Sequence, residues 1–198
     1  MKTNTAFQYL ATENPELLQQ YFELRRRAYL LEYPWLPSTF GAPDDNDNAS
    51  WIVVAVGSGV VAGGARLTLS TPQDPLPLPL EESGIFLQGY QRLAHLQLAS
   101  KAYGEISRLA VSAETSEGLA LSLGLTRSCC EIATSEGADV LFGICPPGPL
   151  RLNRWNAKRL ALHFDTYGEL STVFGRDMTL CAFEGLGKRF AGTERDAA

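Results

Sequence analysis

Glu105 and Arg108 stand three apart in the stretch Tyr103 to Ser112, which reads as a β-strand. A carboxylate and a guanidinium are costly in a strand interior unless they are paired or line a cleft, where they can move a proton or hold charge. Residues three apart on an unbroken strand point to opposite faces, so joint action needs a bulge. The other reading is an acid on an edge strand and an arginine bridging to a carboxylate elsewhere. Asp45 and Asp47, in the run Asp44-Asp45-Asn46-Asp47, suit an amine or a sulfonium, or else a solvated loop. Arg25, Arg26 and Arg27 fan over about 200° of a helix, so at least one must approach the protein body. Arg25, one turn before Tyr29, lies on the apolar stripe. Arg151, Arg154, Lys158 and Arg159 give four positive charges with no acid between them, and the first three share a helix face. That face fits an acidic macromolecule or a solvated surface.

The elements that position these groups are legible in outline. Asn14-Pro15-Glu16 starts a helix, with an N-cap, a proline where no N–H is needed and an acid at the positive dipole end. Apolar residues then recur at helical spacing to about Glu32, and Tyr33-Pro34 ends the run. Trp35 to Ser50 reads as a loop. Trp51–Val56 and Val60–Leu69 flank Ser58-Gly59 as an antiparallel hairpin, with Arg66 in the second strand. Prolines 72, 75, 77 and 79 argue against regular structure. A helical pattern follows from about Phe86 to Ala99, then the strand with Glu105. A helix over Glu117–Ser135, a buried strand over Ala138–Ile144 and a break at Pro146-Pro147-Gly148-Pro149 come next. A helix over Leu150–His163 and strands near Thr166–Phe174 and Asp177–Glu184 complete an α/β domain with a mixed sheet between helices.

Composition removes several classes of function. The 198 residues are 45% hydrophobic and 20% charged, enough for one sizeable core. Lys plus Arg total 17 against 22 Asp plus Glu, a net charge of −5, so no global basic footprint for nucleic acid exists. The longest apolar stretch, Ile52 to Ala65, is broken by four glycines and is shorter than the roughly 20 residues of a membrane helix. The segment up to Glu16 lacks an apolar core and a small-residue cleavage site, so a cytoplasmic location is expected. Cys129, Cys130, Cys145 and Cys181 form no CxxC pair. With His95 and His163 as the two histidines, no zinc spacing emerges, and no metal is expected.

The ordered set Arg25-x3-Tyr29-x5-Trp35, Asp45-x-Asp47, Arg66-Leu67 and Glu105-x-Ser107-Arg108-Leu109 resembles the acyl-homoserine-lactone synthases, the autoinducer synthases of bacterial quorum sensing. That family carries Arg-x3-Phe-x5-Trp, Glu-x-Asp-x-x-Asp, an Arg-Leu strand and Glu-x-Ser-Arg-Phe in the same order. The match covers Arg25 to Val111; residues 112 to 198 agree in the order of elements. Tyr29 replaces Phe, Asp45 replaces Glu, Ser50 stands at the last Asp and Leu109 replaces Phe. The N-acyl amino acid synthases share this scaffold and are the alternative; a catalytically degenerate ligand-binding protein is the second.

The resemblance implies a GNAT-like three-layer fold in a single domain, with a mixed, mostly antiparallel sheet flanked by helices. An acceptor-side half would span about 14–112, an acyl- and carrier-side half about 113–190, and a disordered tail 191–198. It implies N-acyl transfer from acyl carrier protein or acyl-coenzyme A to an amine, S-adenosylmethionine foremost, with no prosthetic group. Glu105 would be the base or orient it, and Arg108 and Arg66 would neutralise buried carboxylates. Arg25, Tyr29, Trp35, Asp45, Asp47, Arg66 and Phe86 would shape the substrate pocket. In coenzyme A users of this superfamily a [Gln/Arg]-x-x-Gly-x-[Gly/Ala] turn cradles pyrophosphate. Here Thr115-Ser116-Glu117-Gly118-Leu119-Ala120 lacks the basic or amide residue, and Glu114 and Glu117 add negative charge. That favours the carrier protein, docked on Arg151, Arg154, Lys158 and Arg159.

Overall fold

The computed structural model describes residues 6–35, 37–113, 116–170 and 177–191. The sheet-forming elements are β1 (Gln8–Ala11), β2 (Trp51–Gly57), β3 (Val60–Ser70), β4 (Ala102–Val111), β5 (Ala138–Cys145), β6 (His163–Leu170) and β7 (Met178–Glu184). They form one seven-stranded sheet in the order β1-β2-β3-β4-β5-β7-β6. β4 and β5 run parallel, and β1–β2, β2–β3, β5–β7 and β6–β7 run antiparallel. The helices are α1 (Pro15–Glu32), α2 (Asp45–Asn48), α3 (Pro79–Glu82), α4 (Gly118–Ser135), α5 (Pro147–Leu160) and α6 (Leu186–Phe190). This is the mixed sheet with flanking helices that the element order predicts. Among the described residues no helix is long and apolar enough to cross a membrane.

The chain divides into two compact units, one of residues up to Leu67 with Ser107–Cys129, the other of Thr68–Ile106 with Cys130 onward. In the first, the Asn14 side chain caps α1 by accepting from the N–H groups of Glu16 and Leu17, at 2.9 and 3.4 Å. The helix buries Tyr21, Leu24 and Arg25, and Tyr21 packs with Ile52, Val54 and Val61 of the hairpin. Ser58 and Gly59 both have positive φ, the geometry of a two-residue hairpin turn whose twist matches its strands. β1 escapes sequence reading because four residues, one exposed and three half-buried, carry too short a pattern.

Gly64 of β3 is obligatory for a different reason. A Cβ there would come 2.4 Å from Cδ2 of Tyr21. The ring has nowhere to go: it is fully buried, and its hydroxyl donates to the Arg108 carbonyl at 2.8 Å. Gly64→Ala is therefore expected to lower stability in urea by about 1–3 kcal/mol, the usual cost of overpacking, and Gly64→Val by more.

The second unit corrects three sequence expectations. The pattern at Phe86–Ala99 is not an α-helix but three 3₁₀ turns, Leu87–Gly89, Gln91–Leu96 and Leu98–Ser100. Leu87, Tyr90, Leu93 and Leu96 recur every three residues, which matches a 3.0-residue turn better than 3.6. The proline-rich stretch does hold regular structure, because Pro79 occupies the first position of α3. Together these segments supply Leu78, Leu80, Ile85, Leu87, Leu93 and Leu98 to a core with Tyr103, Phe142 and Leu180. The prolines at 147 and 149 likewise do not break the chain but open α5, where the first N–H groups lack helical partners anyway. α5 stops at Leu160, short of the His163 expected from sequence, because Ala161 caps it with φ +56°. The sequence-read strand near Thr166–Phe174 starts earlier, at His163; its residues 171–174 lie outside the described residues, as does the predicted tail from 192 onward.

Candidate functional site

The first unit gathers three arginines and two aspartates. Arg25, 0% exposed, is carried inward on the buried line of α1. Its Nη1 and Nη2 each donate to one oxygen of Asp47 at 2.8 Å, and Nε and Nη2 donate to the carbonyls of Gly41 and Ala42 at 2.9 and 2.6 Å. This bidentate fork uses the planar geometry that distinguishes arginine from lysine. Asp47 also accepts the Asp44 N–H at 2.9 Å, which folds the acidic run into α2.

Arg66 extends the network from β3. Its Nη1 donates to Asp44 Oδ1 at 2.6 Å and to Asp47 Oδ1 at 3.4 Å, and its Nε donates to Ser107 Oγ at 3.2 Å. Burial alone pushes the Asp47 carboxyl up. The hydrogen bonds and charge of Arg25, the Asp44 N–H and the charge of Arg66 outweigh it and hold the group below its ordinary value.

Arg108 completes the cluster in an unusual conformation. It lies in β4 with φ +55°, a left-handed backbone that costs an L-residue about 1–2 kcal/mol. Its Nη1 donates to the Phe40 carbonyl at 2.6 Å and its Nη2 to Asp44 Oδ2 at 3.1 Å. The guanidinium lies 4.2 Å from the Phe40 ring centroid and 5.8 Å from that of Tyr29. A residue held in a strained conformation by this many partners is a pointer to a functional position. The strict alternation expected for this strand therefore fails at Arg108.

Tyr29 contacts Phe40 and Tyr33, and Tyr33 meets Trp35 edge-on at 5.5 Å, so an aromatic row borders the arginines. Burial raises the Tyr29 phenol above its ordinary value although the charges of Arg108, Arg25 and Arg66 pull it down, so it stays protonated at neutral pH. Three guanidiniums face two carboxylates. The members with the most solvent access are Arg108 and Asp44, whose side chains are 15% and 31% exposed.

The structure thus brings together Arg25, Tyr29, Asp47, Arg66 and Arg108, with Trp35 at the exposed end of the aromatic row. It does not bring in Asp45, which is exposed; Asp44 takes the inward place instead. The Asp44-x-x-Asp47 spacing, one turn apart across a helix start, was the available signal. Phe40 and Tyr33 were missed because loop aromatics carry no periodic cue. Ser50 turns its hydroxyl to the Asn46 carbonyl at 2.6 Å.

In the second unit Glu105 is buried, 3% exposed, and its Oε2 accepts the Leu80 N–H of α3 at 2.7 Å. A carboxylate thereby tethers the proline-rich segment to β4. Phe86 is 75% exposed. Arg151, Arg154, Lys158 and Arg159 are all exposed on α5, whose buried side is Asn156, Ala157 and Leu160. Arg189 of α6 donates to the Leu160 carbonyl at 3.0 Å and adds a cation at the negative end of α5. Of the proposed pyrophosphate turn, Glu114 and Thr115 lie outside the described residues.

The sequence matches no protein-family model and no curated protein at a significant level. Its fold does have close counterparts. The acyl-homoserine-lactone synthase LasI superposes with a TM-score of 0.64 at 17% identity over 96% of both chains. The chain has a GNAT-like fold. FeeM, an N-acyl amino acid synthase from uncultured soil microbes, gives 0.63 at 15% identity over 94% of this chain and 96% of its own. BjaI, a coenzyme A-dependent acyl-homoserine lactone synthase solved with S-adenosylmethionine and isopentyl-coenzyme A, gives 0.63 at 18% over 95% and 90%.

Proposed function

We propose that the protein is an N-acyltransferase that moves an acyl chain from a thioester to the amine of an acceptor that also carries a carboxylate. The observation that supports this most is the exposed edge of the arginine–aspartate cluster. Arg108 and Asp44 offer a cation and an anion 3.1 Å apart beside aromatic rings. An α-amino acid group presents the complementary pair of charges. S-adenosylmethionine has this group together with a sulfonium that suits the faces of Tyr29, Tyr33 and Trp35. It is the leading acceptor, in keeping with the likeness to acyl-homoserine-lactone synthases.

In the reaction the acceptor nitrogen, as free amine, attacks the thioester carbonyl. The tetrahedral oxyanion is stabilised by strand N–H groups, and the thiolate leaves as the amide forms. Glu105 is assigned the proton-accepting role, its carboxylate fixed by the Leu80 N–H. Arg25, Arg66 and Asp47 are positioning residues that hold Asp44 and Arg108. Acyl carrier protein is the assigned donor partner, because its acidic surface complements the exposed cations of α5.

A free amino acid as acceptor is the second reading. It is favoured by the acidic segment itself, where Asp45 points outward and Ser50 bonds Asn46, leaving a smaller inward set of acids. Purified protein incubated with acyl carrier protein charged with medium and long chains, with S-adenosylmethionine or amino acids, and followed by mass spectrometry, decides between them. The expected result is an amide product from one acceptor class. No transfer from either carrier protein or coenzyme A to any amine overturns the reading and leaves a ligand-binding protein. Full turnover by Glu105→Gln removes its proton role. Charge reversal at Arg151, Arg154 and Lys158 is expected to raise KM for the carrier without changing kcat.

A further inference from the structure

We propose a binding site for a divalent transition-metal ion, with Zn²⁺ as the best-suited probe, at His163, Asp165 and Glu184 on the β6–β7 pair. A ligand atom from each lies within 4.8 Å of the other two. The register makes the cluster: His163 is the direct cross-strand partner of Glu184, and Asp165, two residues along β6, returns to the same face. Linear spacing conceals this, since His163 and Glu184 are separated by the whole β6–β7 connection, and cysteine and histidine intervals carry no sign of it.

The immediate surroundings support ligation. Tyr167 donates its hydroxyl to Glu184 Oε1, and Asp165 Oδ1 accepts the Thr166 N–H at 2.7 Å. Each carboxylate is thereby oriented through one oxygen while the other is available to a cation, the arrangement in which outer hydrogen bonds fix the inner ligands. Among the described residues neither carboxylate is ion-paired with a lysine or arginine. Two acids this close, without a cation, repel each other across the strands. One imidazole with two carboxylates selects zinc-like ions over magnesium or calcium, which prefer oxygen alone. His163 and Asp165 are exposed, so three protein ligands leave positions for water or a small anion. Binding would tie edge strand β6 to β7.

The site does not depend on the acyl-transfer reading. Isothermal titration of the tag-free full chain with ZnCl₂, in a non-coordinating buffer, is expected to give one ion per chain, and Zn²⁺ is expected to raise Tm. His163→Ala and Asp165→Asn, both at exposed positions, should each weaken binding at least tenfold and abolish the Tm rise. Tyr167→Phe should weaken it about tenfold through lost orientation of Glu184. Glu23→Gln, at an exposed carboxylate of α1, should bind like the wild type. Absence of binding at millimolar Zn²⁺, or equal affinity in the wild type and both ligand variants, overturns the proposal.

Discussion

Asp47→Asn is expected to lower the free energy of unfolding in urea by about 3–5 kcal/mol, the cost of leaving one member of a buried ion pair alone. The variant keeps the shape of the side chain but removes its charge, and Arg25 at 0% exposure cannot turn to water. Both guanidinium bonds at 2.8 Å are weakened at once, together with the 3.4 Å contact to Arg66. The partner substitution Arg25→Met should cost a comparable amount. The double variant should lose less than the sum, with a coupling of about 2 kcal/mol or more, because residues in one network are not additive.

Acid adds a second readout. The Asp47 carboxyl sits below its ordinary value of 3.8 in the folded chain, so the unfolded chain binds that proton more readily. The pair's contribution is complete above the unfolded value and is lost as pH falls through the lowered folded value. The stability difference between wild type and Asp47→Asn is therefore expected to be largest near neutral pH and to shrink below about pH 4. A constant difference down to acid-induced unfolding would mean that the charge of Asp47 is not what holds Arg25.

Arg108→Ala is expected to reduce acyl transfer about 100-fold, the scale of losing a positioning contact at a reacting centre. The side chain holds Asp44, the Phe40 carbonyl and the aromatic row in one arrangement. Lysine has the charge but not the fork, so Arg108→Lys should recover little of the activity. The backbone separates this from a folding defect. At φ +55° alanine retains the steric penalty and loses the contacts that offset it, whereas glycine adopts this conformation readily. Arg108→Gly should be more stable than Arg108→Ala by about 1 kcal/mol and equally slow. Glycine restoring activity as well as stability would show that the left-handed backbone, and not the guanidinium, serves the reaction.

Sequence reading failed where the local signal was misleading or too short. Leu87, Tyr90, Leu93 and Leu96 carry a period of three that a helical template absorbs as noise, and the prolines around α3 and α5 look like breakers until their place in a first turn is known. Joint action of Glu105 and Arg108 requires a break in the strand's alternation, but nothing in Glu-Ile-Ser-Arg-Leu specifies the left-handed residue found at Arg108. Its partners, the Tyr21 hydroxyl, the Phe40 carbonyl and Asp44, come from 64 to 87 positions away.

What the sequence determined alone was local and periodic: the capped α1 with Arg25 on its buried stripe, the Ser58-Gly59 hairpin, and the order of elements that resembles the acyltransferase fold. These follow from propensities and spacing within a few turns of chain. The tertiary structure decided which charges meet. It selected Asp44 over Asp45, gave Glu105 to the Leu80 N–H, and set His163 opposite Glu184. A buried charge takes whichever partner the fold brings within about 3 Å, and a separation along the chain says nothing about that distance.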